Sequence, residues 1–320
     1  MPNKQRNIAR HAATMLPNAP MLPNTLKYFL EVARTGSING ASQRLNVAGS
    51  AISRQIATLE MQFETSLFER KPRGMVLTSA GEKLADYIRG ALLDAEDVTS
   101  EIRGEAEKPR GTIRIAISEG LANSFMSEMV FLYRQKFPEI RFDVHVVPPP
   151  NIPVMVREGE VDIGIAFAIA AVIPVHVVRR VRVATMALMD PSHPLAAHDR
   201  LAMSDLAPYP IALSSPDTTL RKVIDLRCAA EGVSLRVAMV SSHSAGLMHF
   251  ARLGGGIAFA SPISARTWIS DGLLVARPFR EDNAFDRSLE IQTMAARRLP
   301  RLIHDFSHFL ADQIGERTEI

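Results

Sequence analysis

The run Ser37-Ile38-Asn39-Gly40-Ala41-Ser42-Gln43-Arg44-Leu45-Asn46-Val47-Ala48-Gly49-Ser50-Ala51-Ile52-Ser53-Arg54-Gln55-Ile56 constrains this chain more than any other. Ala41 and Leu45 form an apolar i, i+4 pair. Val47, Ala51, Ile52 and Ile56 lay an apolar stripe along one face of a second helix. Asn46 between them tolerates the left-handed backbone that a sharp corner needs. Opposite the stripe lie Gly49, Ser50, Ser53 and Arg54. Small residues let a backbone approach the major groove, and Ser and Arg reach bases or phosphates. A helical hairpin buried in a core would carry the same apolar pattern, and the flanking sequence weighs against it.

Asn24 or Thr25 can cap a first helix running through Arg34, with Leu26, Phe29, Leu30 and Ala33 facing inward. The second helix of the pair continues through Leu59 and Phe63. In Leu67 to Thr78, Pro72 and Gly74 force a turn between two short extended pieces, and Arg70, Lys71 and Arg73 crowd its tip. A basic hairpin beside a helix-turn-helix is a wing suited to phosphate and minor-groove contact. Ser79-Ala80-Gly81-Glu82 is a capping box that opens a long helix. Leu84, Ile88, Ala91, Ala95, Val98 and Ile102 alternate steps of four and three, a coiled-coil seam spanning roughly 35 Å at ~1.5 Å per residue. Such a seam needs a partner. Self-pairing predicts a dimer; packing against the same chain is the alternative. Residues 105–110, with Pro109, form a hinge.

The 320 residues suffice for two or three domains. Net charge is +3, and its placement matters more than its size. Residues 1–110 hold fifteen Lys/Arg against twelve Asp/Glu, whereas residues 111–320 hold twenty-two of each, so the excess lies in the amino-terminal third. The single cysteine, Cys228, excludes an internal disulfide and a thiolate-rich metal site, which fits a reducing cytoplasm. Residues 1–23 carry Lys4, Arg6 and Arg10 without the apolar core of a signal peptide. Four prolines argue against a continuous helix there, so the segment reads as a disordered extension, with Met15 and Met21 as alternative starts. No run approaches the ~20 apolar residues of a membrane span.

From Gly111 strands alternate with helices. Thr112 to Ser118, Ile140 to Val147 and Val161 to Phe167 read as strands, with a helix from about Asn123 to Phe137 and room for another at Ile152 to Glu158. This βαβαβ unit implies a parallel sheet covered by helices. A second cycle follows, with Val177 to Met189 as one extended run, Tyr209 to Leu213, a helix over Thr218 to Glu231, and Leu235 to Val240. A helix at Ser244 to Leu253 and a strand at Ile257 to Ala260 come next. Leu289 to Ala295 looks like a last strand, and Arg301 to Ile314 a closing helix. The pattern suggests two lobes joined by crossing strands, with ligands at strand carboxyl ends near helix amino termini.

Leu26 to Leu93 resembles the winged helix-turn-helix and linker helix of the LysR-type transcriptional regulators. The resemblance rests on Phe29-Leu30-Glu31-Val32-Ala33, Gly36-Ser37, Ala41-Ser42-Gln43-Arg44-Leu45, Ser50-Ala51-Ile52-Ser53-Arg54-Gln55-Ile56, Leu59-Glu60, Leu67-Phe68-Glu69-Arg70 and Leu77-Thr78-Ser79-Ala80-Gly81. The remainder is similar to that family's effector domain, through Gly111-Thr112-Ile113-Arg114-Ile115-Ala116, Gly159-Glu160-Val161-Asp162-Ile163-Gly164-Ile165 and Gly254-Gly255-Gly256-Ile257-Ala258. The resemblance implies an α/β protein with an α-rich winged helix-turn-helix at residues 24–78, and a linker and dimerisation helix at 79–104. A two-lobed, periplasmic-binding-protein-like effector domain would fill 111–320, with lobe 1 at about 111–182 and 285–320 and lobe 2 at about 183–284. It implies a homodimer through the linker helix, or a tetramer, on a dyad-symmetric promoter site in double-stranded DNA. A small-molecule effector would control transcription, with RNA polymerase as a further partner and no cofactor, metal or membrane. Ser37, Gly49, Ser50, Ser53, Arg54, Gln55, Arg70, Lys71 and Arg73 are the DNA-binding candidates.

The chain departs from the family in places. Relatives commonly carry Ser-Gln ahead of Ser50, where this chain has Ala48-Gly49. Glutamine grips adenine bidentately, so its loss changes the expected base preference. Losing the Ser cap should loosen the first turn by about 1 kcal/mol unless Asn46 or Ser50 compensates. In the effector domain Ser118, Glu119, Pro149, Phe167, Ser215, Thr218 and His243 are the binding candidates. Hydroxyls with helix-start N–H groups suit a carboxylate. Glu119, however, would place an anion near the site, Pro149 stands where relatives often have a small polar residue, and Phe167 where some have a polar or basic one; together these favour a ligand with an amine or an apolar body, unless Glu119 points to solvent.

Enzyme chemistry is the competing class. The chain has no P-loop, dinucleotide fingerprint or nucleophile elbow. His304-Asp305-Phe306-Ser307-His308 mimics a zincin helix with Asp for Glu and reads better as a surface pair. Cys228, beside Ala229 and Ala230, reads as a packed thiol. An α/β ligand-binding or enzymatic domain fused to a helix-turn-helix of another type is the runner-up.

Overall fold

The computed structural model describes residues 23–72, 74–102, 111–168, 173–280, 286–295 and 297–318. Arg73, the hinge at 105–110, nearly all of the amino-terminal extension and the side chain of Ile102 lie outside the described residues. The chain divides into two units.

In the first unit, α1 (Asn24–Thr35) ends at Gly36, whose φ of 67° is the left-handed conformation that glycine adopts without strain. Ser37 starts α2 (Ile38–Leu45) by accepting a 3.0 Å hydrogen bond from the Gly40 N–H. Asn46 ends it at φ 54°, the corner its sequence predicts. α3 (Gly49–Gln62) begins without a side-chain cap, as Ala48 dictates. β1 (Phe68–Lys71) and β2 (Gly74–Leu77) pair antiparallel as the wing, with Lys71 opposite Gly74. α4 (Ser79–Ile102) closes the unit. Phe29, Ala41, Ile52, Ile56, Leu67 and Ile88 form its core, and the Phe29 and Phe68 rings tilt together 5.0 Å apart.

This core claims part of the seam on α4. Leu84 and Ile88 pack into it together with Ala85 and Leu92, so the seam's first turns are spent within the same chain. A helix with 3.6 residues per turn presents one broad apolar face, and here the winged-helix core takes it. Farther along, Val98 is exposed, as is Tyr87 on another face.

The second unit opens with β3 (Gly111–Ile117). A helical turn (Glu119–Leu121) and a π-turn (Ala122–Met126) lead into α5 (Ser127–Lys136), so this helical segment starts earlier than its sequence predicts. β4 (Ile140–Val146), α6 (Ile152–Arg157), β5 (Ile163–Ala168) and β6 (His176–Val183) follow. The chain then continues through β7 (Met186–Met189), α7 (Met203–Leu206), β8 (Pro210–Ser214), α8 (Thr219–Glu231), β9 (Arg236–Ser241) and α9 (Ser244–Arg252). It finishes with β10 (Ala258–Ala260), α10 (Pro262–Ser270), β11 (Val275–Arg277), β12 (Arg287–Thr293) and α11 (Arg301–Thr318).

One sheet has the order β4-β3-β5-β12-β6. β3 is parallel to β4 and β5, while β12 is antiparallel to both of its neighbours, β5 and β6. The other lobe holds β10-β7-β11 and the parallel pair β8-β9. The extended run predicted over Val177 to Met189 is therefore two strands in different sheets, and the chain crosses between lobes at Ala184 and Thr185. In the first lobe Ile113, Ile115, Ile163, Ile165 and Ile291 are buried along the sheet, with Tyr133 and Phe306 of the covering helices in edge contact at 4.8 Å. Burial, reinforced by nearby Asp305, pushes the Tyr133 hydroxyl up to about 12. Ala187, Met189, Ile211, Leu213, Ile224 and Phe259 centre the second lobe.

His193 caps the short turn Pro194–Ala197 by accepting a 3.2 Å hydrogen bond from the Leu195 N–H at Nδ1. Its ring also packs 4.5 Å from Tyr209. Burial lowers its pKa, because the charged ring is the form that loses hydration, and this outweighs the nearby Asp190. The folded state thus binds the proton less readily than the unfolded chain. The stabilisation is complete above the unfolded value of about 6.5 and is lost as pH falls through the lower folded value. Melting temperature should therefore drop more between pH 7.5 and 5 in the natural protein than in His193→Asn, whose side-chain oxygen accepts the same bond without titrating.

Candidate nucleic-acid interface and effector site

Ile52, Ile56 and Leu59 turn one face of α3 into the core and leave Ser50 and Arg54 exposed, with Ser53 half-buried. Among the described residues Arg54 and Arg70 have no ion-pair partner, whereas Lys71 lies 3.2 Å from Glu69. The other candidates have local duties. Ser37 caps α2, and the Gln55 amide oxygen accepts from the Thr25 hydroxyl, fastening α3 to α1. A Cβ on Gly49 would sit 3.3 Å from Ile38, so this glycine faces α2 and sets the spacing of the two helices.

Glu60, quoted above only as part of the family resemblance, proves to have a structural role. One of its carboxylate oxygens accepts from the backbone N–H of Leu67 at 2.8 Å and of Phe68 at 3.2 Å. It therefore ties the end of α3 to the first strand of the wing. The wing's other side is pinned by Met75, whose N–H donates to the Gly36 carbonyl at 2.7 Å. Gly74, at φ 128°, lies so close to that carbonyl that any Cβ would strike it. A buried Glu31 pairs with Arg34 and, at 3.0 Å, with Arg44, locking α1 to α2. Glu60→Ala should speed amide exchange at Leu67 and Phe68 by about tenfold or more, as loss of two charge-assisted bonds requires, with α1 unaffected in a hydrogen-exchange experiment.

The effector candidates fall into three groups. Ser118 is buried at the carboxyl end of β3; its N–H donates to the Ile165 carbonyl at 3.1 Å, and its hydroxyl has no partner among the described residues. Phe167 is buried near the end of β5, and Pro149 starts a short 3-10 turn, half-buried. Thr218 spends its hydroxyl locally: it caps α8 through the Arg221 N–H and bonds the Ser215 carbonyl at 2.8 Å. His243, with its side chain 80% exposed, stands just before α9. Glu119 points neither to open solvent nor to an empty site. Both its oxygens accept from the Ser244 N–H, at 3.0 and 2.9 Å, which places a lobe 1 carboxylate on the first turn of a lobe 2 helix. His243 Nδ1 stands 3.9 Å away. Glu119→Ala should strip that N–H of its acceptor and cost about 1 kcal/mol, read as a lower urea midpoint.

The sequence also missed Arg287. It starts β12 opposite Val183, on the same side as Leu289 and Ile291, and its guanidinium carbon lies 3.9 Å above the centre of the Phe167 ring. Only 7% of it is exposed. Burial draws its pKa down to about 9, so it remains charged at neutral pH. The rings of the potential metal pair His304 and His308 tilt against each other 4.3 Å apart, and no cluster able to hold a metal exists among the described residues.

A winged helix-turn-helix joined to two α/β lobes is the build of a ligand-responsive DNA-binding regulator, and comparison with known proteins agrees. Residues 23–82 match the bacterial regulatory helix-turn-helix protein, lysR family, and residues 106–315 match the LysR substrate binding domain. The chain belongs to the LysR family of transcriptional regulators and is not an enzyme. A probable RuBisCO transcriptional regulator of Cyanidioschyzon merolae is 27% identical over 253 residues, covering 76% of this chain and 82% of that one. The RuBisCO operon transcriptional regulator of Allochromatium vinosum is 26% identical over 247 residues, covering 74% and 78%. Among solved structures, ArgP from Mycobacterium tuberculosis shares the fold with a TM-score of 0.64 at 22% identity, over 90% of this chain and 97% of that one.

Proposed function

We propose that this regulator binds a dyad-symmetric promoter site as a homodimer paired through the later turns of α4, or as a tetramer built from such dimers. Val98, exposed where the winged-helix core no longer covers the helix, supports that pairing. Ser50, Ser53 and Arg54 read or position the major groove from α3, while Arg70, Lys71 and Arg73 reach phosphates from the wing. The effector binds between the lobes, at the carboxyl ends of β3 and β5 where Ser118 and Phe167 are placed, and its arrival changes how the complex engages RNA polymerase. The work is done in the cytoplasm, where the chromosome is.

The observation that carries this reading is an Arg54 that is exposed and, among the described residues, without an ion-pair partner, on a helix whose opposite face is buried. Fluorescence anisotropy with the DNA upstream of its own gene, across a salt series, tests it. The natural protein should bind tightly with a steep salt dependence, and Arg54→Ala should lose about tenfold or more in affinity for the dyad site. Binding no tighter than to random DNA, and indifferent to Arg54→Ala, would overturn the reading.

A further inference from the structure

The segment that follows β3 in lobe 1 reaches across to lobe 2 three times within residues 119–124. Both oxygens of Glu119 accept from the N–H of Ser244, the first residue of α9. Gly120 runs against α10, where a Cβ would stand 3.6 Å from the Ser264 hydroxyl oxygen. The Ser124 hydroxyl donates to the Ser264 carbonyl at 3.5 Å. Ser124 lies in the π-turn Ala122–Met126, a rare form of helix that recurs at functional sites.

Of the three contacts only the first carries a formal charge. The leading N–H groups of a helix have no acceptor within it, and a carboxylate placed there gains from both the hydrogen bond and the helix dipole. Donor and acceptor belong to different lobes, so this gain favours their closure rather than the folding of either one. A cost opposes it. The Ser244 hydroxyl is sealed from solvent with no partner among the described residues, and opening would hydrate it. A favourable charge contact set against a dry hydroxyl makes a closure that can be undone. We propose that Glu119 is a clasp: its carboxylate takes the start of α9 and holds the two lobes closed by the chain's own charge, before any effector arrives. The lobes then sit in a closed state that a ligand must reinforce or break, whatever the cleft binds.

The test is the distance between the lobes in the full-length protein without added small molecules. On a Cys228→Ser background, His304→Cys on α11 and Arg252→Cys on α9 carry nitroxide labels, both side chains being exposed, and unlabelled protein dilutes out pairs between copies. Pulsed electron spin resonance should give one narrow distance when Glu119 and Ser244 are intact. Glu119→Gln, which keeps the shape without the charge, should add a second distance and shift the open-to-closed ratio by about tenfold. Ser244→Pro should do the same from the other side, because proline is well tolerated at the first position of a helix and removes the N–H. Ser244→Ala, which keeps the N–H and deletes the sealed hydroxyl, should leave the lobes closed. Glu119→Gln and Ser244→Pro together should open them no further than either does alone, as two halves of one contact require. A distance distribution unchanged by Glu119→Gln or by Ser244→Pro, opening by Ser244→Ala, or effects that add in the double variant overturns the proposal.

Discussion

β12 holds the effector domain together. It lies between β5 and β6, with Leu289 beside Phe167 on one side and Val181 on the other, and it runs antiparallel to both. Without it β6 would have no place in the sheet. Everything from β7 to β11 is inserted between the strand that leaves this sheet and the strand that returns. The two lobes are thus linked by adjacent passages of chain, and groups at that edge feel any movement of one lobe against the other. Glu119 acts at the same border, carrying a negative charge from one lobe to a helix start in the other.

Much of this was legible in the sequence because its signals are local. Asn46 at the corner, the apolar steps of α2 and α3, and Pro72 and Gly74 in the wing each act within a few residues. The βαβ grammar after Gly111 is equally short-range. What escaped depends on partners far along the chain. The break at Ala184 and Thr185 separates two extended runs that look like one, since no glycine or proline between Val183 and Met186 marks it. α10 went unread although Ser261-Pro262 offers a cap and a proline at its first position. The seam on α4 was correctly apolar, but letters cannot say whether the covering surface is a second copy or the winged-helix core.

The site itself was half visible. Exposed candidates, such as Arg54, stand out by type and position. Residues that act from within do not. Arg287 is the first residue of a strand whose two faces are both buried, with Glu290 and Gln292 on one and Leu289 and Ile291 on the other. Alternation carries no information there, so an inward arginine looks like a flanking residue. Thr218 shows the opposite case: a hydroxyl in the right place for a ligand that is consumed by its own helix.

The bond from Glu60 to the Leu67 and Phe68 amides has a mechanical meaning. With Met75 fixed to Gly36 on the other side, the recognition helix and the wing form one rigid caliper. Such a tool cannot adjust its jaws to a groove of unusual width. With α3 and the wing on DNA as proposed, a binding site whose grooves do not fit would have to be deformed to match, so the stiffness of the DNA between contacts would become part of what the protein measures.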